Sequence, residues 1–281
     1  MELAATQLLW LVSALLFAGV LAGLLAGLLG IGGGIIVVPA VYQVMLLAQA
    51  PQDHLMHIAV GTSLALIIPT SIRSAAAHHA RGAVSAEVLR RWGWAIVVGV
   101  LIGVTVATLL DSASLALVFA TVVLAMAGWL GFFGETFRLG ERLPRGAGGA
   151  SIPMSIGAVS ALMGIGGGSL SVPAMTAYAI PVHRAVGTSA ALGLLIAVPG
   201  TLGFIITGWS QQNLPPVSLG YVNLLAVACL LPTTLLAVPY GVRLAHHFPA
   251  RTLRYAFAGF LFITGLRMAW AGVAPWLTQG G

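Results

Sequence analysis

Apolar residues fall into ten blocks along this chain, at roughly 3–29, 34–48, 56–77, 91–110 and 114–133, then 151–163, 168–180, 185–208, 217–240 and 252–274. Most are long enough, as helices, to cross a hydrocarbon core of about 30 Å. The first, Leu3 to Leu29, follows Glu2 with no basic stretch and is long for a signal peptide, so a retained transmembrane helix is expected. The blocks 34–48 and 168–180 are short, at 15 and 13 residues. They reach only about 20 Å, so their glycine-rich starts are expected below the membrane surface, one approached from each side.

The blocks form two sets of five around the polar stretch Gly134 to Gly149. Gly30-Ile-Gly-Gly-Gly-Ile-Ile-Val-Val-Pro-Ala40 recurs as Gly164-Ile-Gly-Gly-Gly-Ser-Leu-Ser-Val-Pro-Ala174. His57-Ile-Ala-Val-Gly-Thr-Ser63 recurs as His183-Arg-Ala-Val-Gly-Thr-Ser189, and a proline follows each, Pro69 and Pro199. Matched blocks in the same order indicate an internal duplication. The expected organisation is a first repeat at 1–133, a cytoplasmic linker at 134–150 and a second repeat at 151–281.

Composition settles the solvent. With 59% hydrophobic and 6% charged residues, 36 glycines and a mean hydropathy of +1.03, no soluble domain of 281 residues could cover its surface. All twelve basic residues are arginine, scattered over short loops, which excludes a nucleic-acid footprint and reports orientation instead. If every block crosses, each half has five crossings and the second copy is upside down. The arginines at 73, 81, 90, 91, 138, 142, 145, 184, 243, 251 and 254 then share one face, and only Arg267 lies toward the other. If the two short blocks dip and return, that set splits. The fold class expected is therefore an all-α integral membrane protein: two inverted-topology repeats of about five helical segments, with short broken helices after Gly-rich turns and both termini outside. A lone cysteine, Cys229, leaves no intramolecular disulfide and no Cys-based metal site; no metal or cofactor is expected.

Candidate chemistry sits in the repeated blocks. Consecutive glycines before a helix start present backbone N–H groups as an anion nest backed by the helix dipole; the alternative is a tight turn with close packing. Thr62, Ser63, Thr188 and Ser189 either donate to a bound oxyanion or hold helices together. Ser169 and Ser171 occur only in the second copy, where the first has Ile35 and Val37. Arg73 either reaches inward or snorkels to the interface. The substrate-binding set is Gly30, Gly32, Gly33, Gly34, Thr62, Ser63, Arg73, Gly164, Gly166, Gly167, Gly168, Ser169, Ser171, Thr188 and Ser189. His57 and His183 read as boundary residues, and the pairs His78-His79 and His246-His247 as solvated loop ends. All six carboxylates, at 2, 53, 87, 111, 135 and 141, lie in termini or loops, which favours an anion over a cation as cargo.

The doubled Gly-Ile-Gly-Gly-Gly…Val-Pro-Ala and Ala-Val-Gly-Thr-Ser blocks, with His78-His-Ala-Arg-Gly-Ala-Val84, resemble the sulfite exporter TauE/SafE family over nearly the whole chain. The resemblance implies export of sulfite or a small organosulfonate, from a family usually described with about eight spans rather than ten. The expected function is a secondary transporter working by alternating access, with an anion channel or an uptake carrier for another small sulfur- or carboxylate-containing anion as the alternative. The chain is not expected to be an enzyme, since it has no Gly-x-Ser-Gly and no His-Glu-x-x-His. The expected partners are a small anionic substrate, membrane lipid and a second copy in a homodimer, without nucleic acid. The expected location is the bacterial inner membrane.

Overall fold

The computed structural model describes residues 2–29, 34–132, 140, 143–144, 147–245 and 247–279. The first half contributes α1 (Glu2–Leu29), α2 (Gly34–Leu47), α3 (Leu55–His79), α4 (Ala86–Leu109) and α5 (Ser112–Phe132), with a 3-10 turn at Gln52–His54 before α3. The second contributes α6 (Ala147–Met163), α7 (Gly168–Ala177), α8 (Val182–Gly208), α9 (Leu224–Ala245) and α10 (Ala250–Gln279). Seven of these are long and apolar enough to cross a bilayer, while α2, α6 and α7 are shorter. The protein is an all-α membrane protein whose exposed side chains along the spans are themselves large and apolar, such as Leu109, Phe132, Ile206, Leu236 and Ile263.

Two boundaries depart from the sequence reading. Helix α6 begins at Ala147, inside the stretch assigned to the linker, where Gly149 packs on the Pro144 carbonyl. The apolar block at 217–240 does not begin as helix. Val217 and Gly220 take positive φ, and the segments β1 (Ser218–Leu219) and β2 (Val222–Asn223) form a small antiparallel hairpin before α9. Hydropathy sees only the apolar side chains of that hairpin, not its turn.

Packing is organised around α3, with 67% of its span buried against 28% for α1. Helix α3 packs on α8, α1 on α9, α4 on α6, and α5 on α10. Exchanging each helix for its counterpart in the other half maps this set of pairs onto itself. Small residues allow the closest approaches: Gly23 and Gly27 of α1 against Thr234 and Val238 of α9, and Gly99 and Gly103 of α4 against Met154 and Ala158 of α6. The registers give direction. Gly61 lies against Phe204, Gly200 against Leu64 and Gly193 against Ser71, so α3 and α8 run antiparallel. Gly265 lies against Leu124 and Gly272 against Leu117, so α5 and α10 do too.

Prolines interrupt α2, α3, α7 and α8 at Pro39, Pro69, Pro173 and Pro199. In α3 the hydroxyl of Thr70 donates back to the carbonyls of Leu66 and Ile67, at 3.1 and 3.0 Å, giving partners to backbone groups beside the interruption. Both short helices end alike, with Gln49 after α2 and Ala179 after α7 at φ near +60° (56° and 60°) and the next N–H turned back to Met45 and Met175 respectively.

Candidate functional site

Helix α6 ends in a Schellman turn. The N–H of Ile165 donates to the Ser160 carbonyl at 3.0 Å, and Gly164 takes φ +63°. That conformation is the one a glycine supplies without steric cost. It also brings the backbone of Gly164 against Val60 of α3 and Val38 of α2, where a Cβ would lie 2.9 Å from each. Gly34, the first residue of α2, packs on the carbonyl of Gly164 and the backbone of Ile165 and Gly166. The start of one broken helix therefore touches the glycine turn of the other. Gly30, Gly32 and Gly33 lie outside the described residues.

Gly167 caps α7 with φ −54° and ψ −23°, ordinary helical values. Positive φ is taken at Gly164 and not at Gly167. What Gly167 supplies is a close approach, with its Cβ position 3.0 Å from the Ser189 carbonyl and 3.1 Å from the Gly193 nitrogen. Among the described residues no side chain caps α7 at Gly167. Gly168 opens that helix, Ser169 is buried, and Ser171 is fully buried with a hydroxyl that has no hydrogen-bond partner among the described residues. Ser160 on α6 is in the same condition. Serine hydroxyls and first-turn N–H groups are donors, so this corner of the fold presents hydrogen-bond donors in an apolar setting.

The hydroxyls of the Ala-Val-Gly-Thr-Ser blocks have partners within the protein. Ser63 donates to the Gly164 carbonyl at 2.7 Å, tying α3 to the glycine turn. Ser189 bonds back to Val186 at 2.8 Å within its own helix. Thr62 accepts the N–H of Asn223 at 3.0 Å, and Asn223 in turn caps α9 by accepting from Ala226. Thr188 accepts the N–H of Ser85 at 2.9 Å, and Ser85 caps α4. The glycine before each threonine clears space for the chain it anchors: Gly61 meets the Tyr221 carbonyl and Gly187 meets Ala83. Each Gly-Thr pair is thus a socket for the start of a helix from the other half.

Arg73 is exposed on α3 and is not brought to this corner. The histidines diverge between copies: His183 is exposed, whereas His57 is 3% exposed, with Nε2 donating to the Ala107 carbonyl at 2.9 Å. That bond puts the proton on Nε2. The ring stacks near Tyr221, 5.0 Å between centroids. Sequence reasoning missed Ser160 and the helix-capping partners Ser85 and Asn223. It also missed a hydrogen bond of 2.6 Å from Arg267 on α10 to Gln43 on α2, although Arg267 stood out as the one arginine away from the basic face.

The family profile described as Sulfite exporter TauE/SafE matches residues 15–268. The chain belongs to the sulfite exporter TauE/SafE family. A probable membrane transporter protein of Haemophilus influenzae is 34% identical over 90% of this chain and 96% of its own length. The probable membrane transporter protein YunE of Bacillus subtilis is 26% identical over 92% and 97%, and one from Methanocaldococcus jannaschii 24% over 93% and 97%. No solved structure gives a significant match. As a TauE/SafE family protein it is a multi-pass membrane transporter, and the matched region takes in both glycine turns and both Gly-Thr sockets.

Proposed function

We propose that this TauE/SafE transporter exports a small anion, sulfite or a small organosulfonate, across the bacterial inner membrane by alternating access, and that the anion is held where α7 begins. The observation that carries this reading is Ser171. Its hydroxyl is buried and without a partner among the described residues, in the first turn of a helix whose N-terminus no side chain caps. An anion there would receive the Ser171 hydroxyl and first-turn N–H groups while meeting the positive end of the helix dipole. A buried donor left unmet costs about 1–3 kcal/mol, which a bound oxyanion would offset.

Direction and mechanism follow from the fold and the charge pattern. The antiparallel runs of α3 with α8 and of α5 with α10 support an inverted relation between the halves, and rocking of one against the other would expose the site alternately. If every helix crosses, the arginine distribution favours cytoplasmic loops at the arginines and both termini outside. Among the described residues Asp53, Glu87 and Asp111 stand at helix starts, Glu87 paired with Arg91 at 2.9 Å, so no described carboxylate sits mid-span to hold a cation.

The test is counterflow in liposomes holding the purified protein, with sulfite, sulfoacetate, taurine, sulfate and carboxylates inside. Labelled sulfite or sulfonate should accumulate against the same unlabelled anion, and Ser171→Ala should raise the half-saturating concentration about tenfold to a hundredfold, since a hydrogen bond to a charged group is worth about 1.5–3 kcal/mol. Flux without stimulation from the opposite side would identify a channel instead. Unchanged saturation in Ser171→Ala would remove the site from α7.

A further inference from the structure

Arg267 lies well inside the apolar span of α10, which runs from Arg251 to Leu277. Its depth can be read from the neighbouring helix. With Gly265 beside Leu124 and Gly272 beside Leu117, Arg267 stands level with the stretch around Thr121, near the middle of α5. Measured along α10, it is about 15 Å short of Leu277 at 1.5 Å per residue, farther than an arginine side chain can stretch. The guanidinium is nevertheless exposed on the protein surface, and among the described residues its hydrogen-bond partner is the side chain of Gln43, at 2.6 Å.

A guanidinium carries five N–H donors and no acceptor. One bond to Gln43 leaves four that hydrocarbon cannot satisfy, so this position needs water or an anion beside it. Gln43 is also informative. It belongs to α2, the broken helix whose first residue, Gly34, packs on the glycine turn leading into α7. From Gly34 to Gln43 is about 13 Å along the helix. An anion leaving the start of α7 along α2 toward the end at Leu47 would meet the arginine next.

We propose that Arg267, tied to α2 by Gln43, stands beside a wet path for the anion and is its anion-binding residue on the side of the membrane toward which α2 runs. This rests on the reading that the protein carries an anion bound at α7. Planar donors in a fixed fork match the oxygens of a sulfite or sulfonate group, and a lysine would keep the charge without the fork.

The experiment uses the full-length protein in liposomes, with Cys229→Ser as background. Cysteine introduced as Arg267→Cys should react with a membrane-impermeant cationic thiosulfonate reagent, as should a control at the loop residue Ser210. In sulfite counterflow Arg267→Gln should raise the half-saturating concentration at least tenfold, while Arg267→Lys stays within about threefold of the parent. An unreactive cysteine at 267 beside a reactive one at 210, or Arg267→Gln with parental saturation, overturns the proposal and identifies the arginine as a tie between helices in lipid. Loss of sulfite counterflow in the parent itself would instead remove the anion-carrier reading on which the proposal stands.

Discussion

Replacing Gly164 by alanine separates backbone conformation from packing, because Gly167, three residues on, provides the matched control. At Gly164 the chain has φ +63°, a region that costs an L-residue about 1–2 kcal/mol. The new Cβ would also fall 2.9 Å from the Cα and carbonyl oxygen of Val60 and from a methyl of Val38. Two of those atoms are backbone of the central helix α3 and cannot turn aside, so overpacking adds about 1–3 kcal/mol. The expected loss is about 2–5 kcal/mol, a large part of a typical stability of about 5–15 kcal/mol. Gly167 has φ −54°, so alanine there meets no backbone penalty, only contacts at 3.0 and 3.1 Å to the Ser189 carbonyl and the Gly193 nitrogen. Its cost should sit near the lower end of overpacking, about 1 kcal/mol. Thermal unfolding of both variants in one detergent, followed by tryptophan fluorescence, should give Gly164→Ala the lower midpoint by several degrees. Equal midpoints, or the reverse order, would refute the argument that the left-handed turn at the end of α6 fixes this junction.

Thr62→Val and Thr188→Val each strand one backbone N–H, that of Asn223 or of Ser85, and each should cost about 1–3 kcal/mol in the same assay. The two losses should match within about 1 kcal/mol and add in the double variant, because they anchor different helices. For topology, single cysteines in the arginine-bearing segments at 81–91 and 243–254 of a Cys229→Ser protein should both resist membrane-impermeant thiol reagents in intact cells. Labelling of the second segment alone would reject the inverted arrangement.

The helices were legible because a lipid-facing surface must be apolar, and composition records that directly. The exceptions show what composition misses. The segment from Val217 to Asn223 is apolar but folds as a hairpin, because positive φ at Val217 and Gly220 turns it and Asn223 is drawn to Thr62, a residue 161 positions away. The start of α6 was hidden for the opposite reason. Gly148 and Gly149 look like linker, yet the chain there is already helical. The divergence of His57 from His183 was equally invisible, since the residues that enclose His57, Ala107 and Tyr221, come from two other segments.

For the candidate site, the repeated blocks named residues that meet at one junction of the fold but left open what each does there. Hydroxyl residues in a transmembrane helix read equally well as ligand donors or as ties, and only the partner decides. Thr62, Thr188 and Ser63 have partners within the fold, each joining the two halves: two sockets for helix starts and one bond to the Gly164 carbonyl. Ser171 has none among the described residues. It is also a serine only in the second copy, its counterpart being Val37. Where both copies agree, in the Gly-Thr sockets, the residues hold the fold together. Where they differ, at Ser171, a buried hydroxyl is left without a partner among the described residues. A duplicated scaffold that keeps its joints and varies its unpaired donors would bind its ligand off the axis of symmetry, on the side of the second repeat.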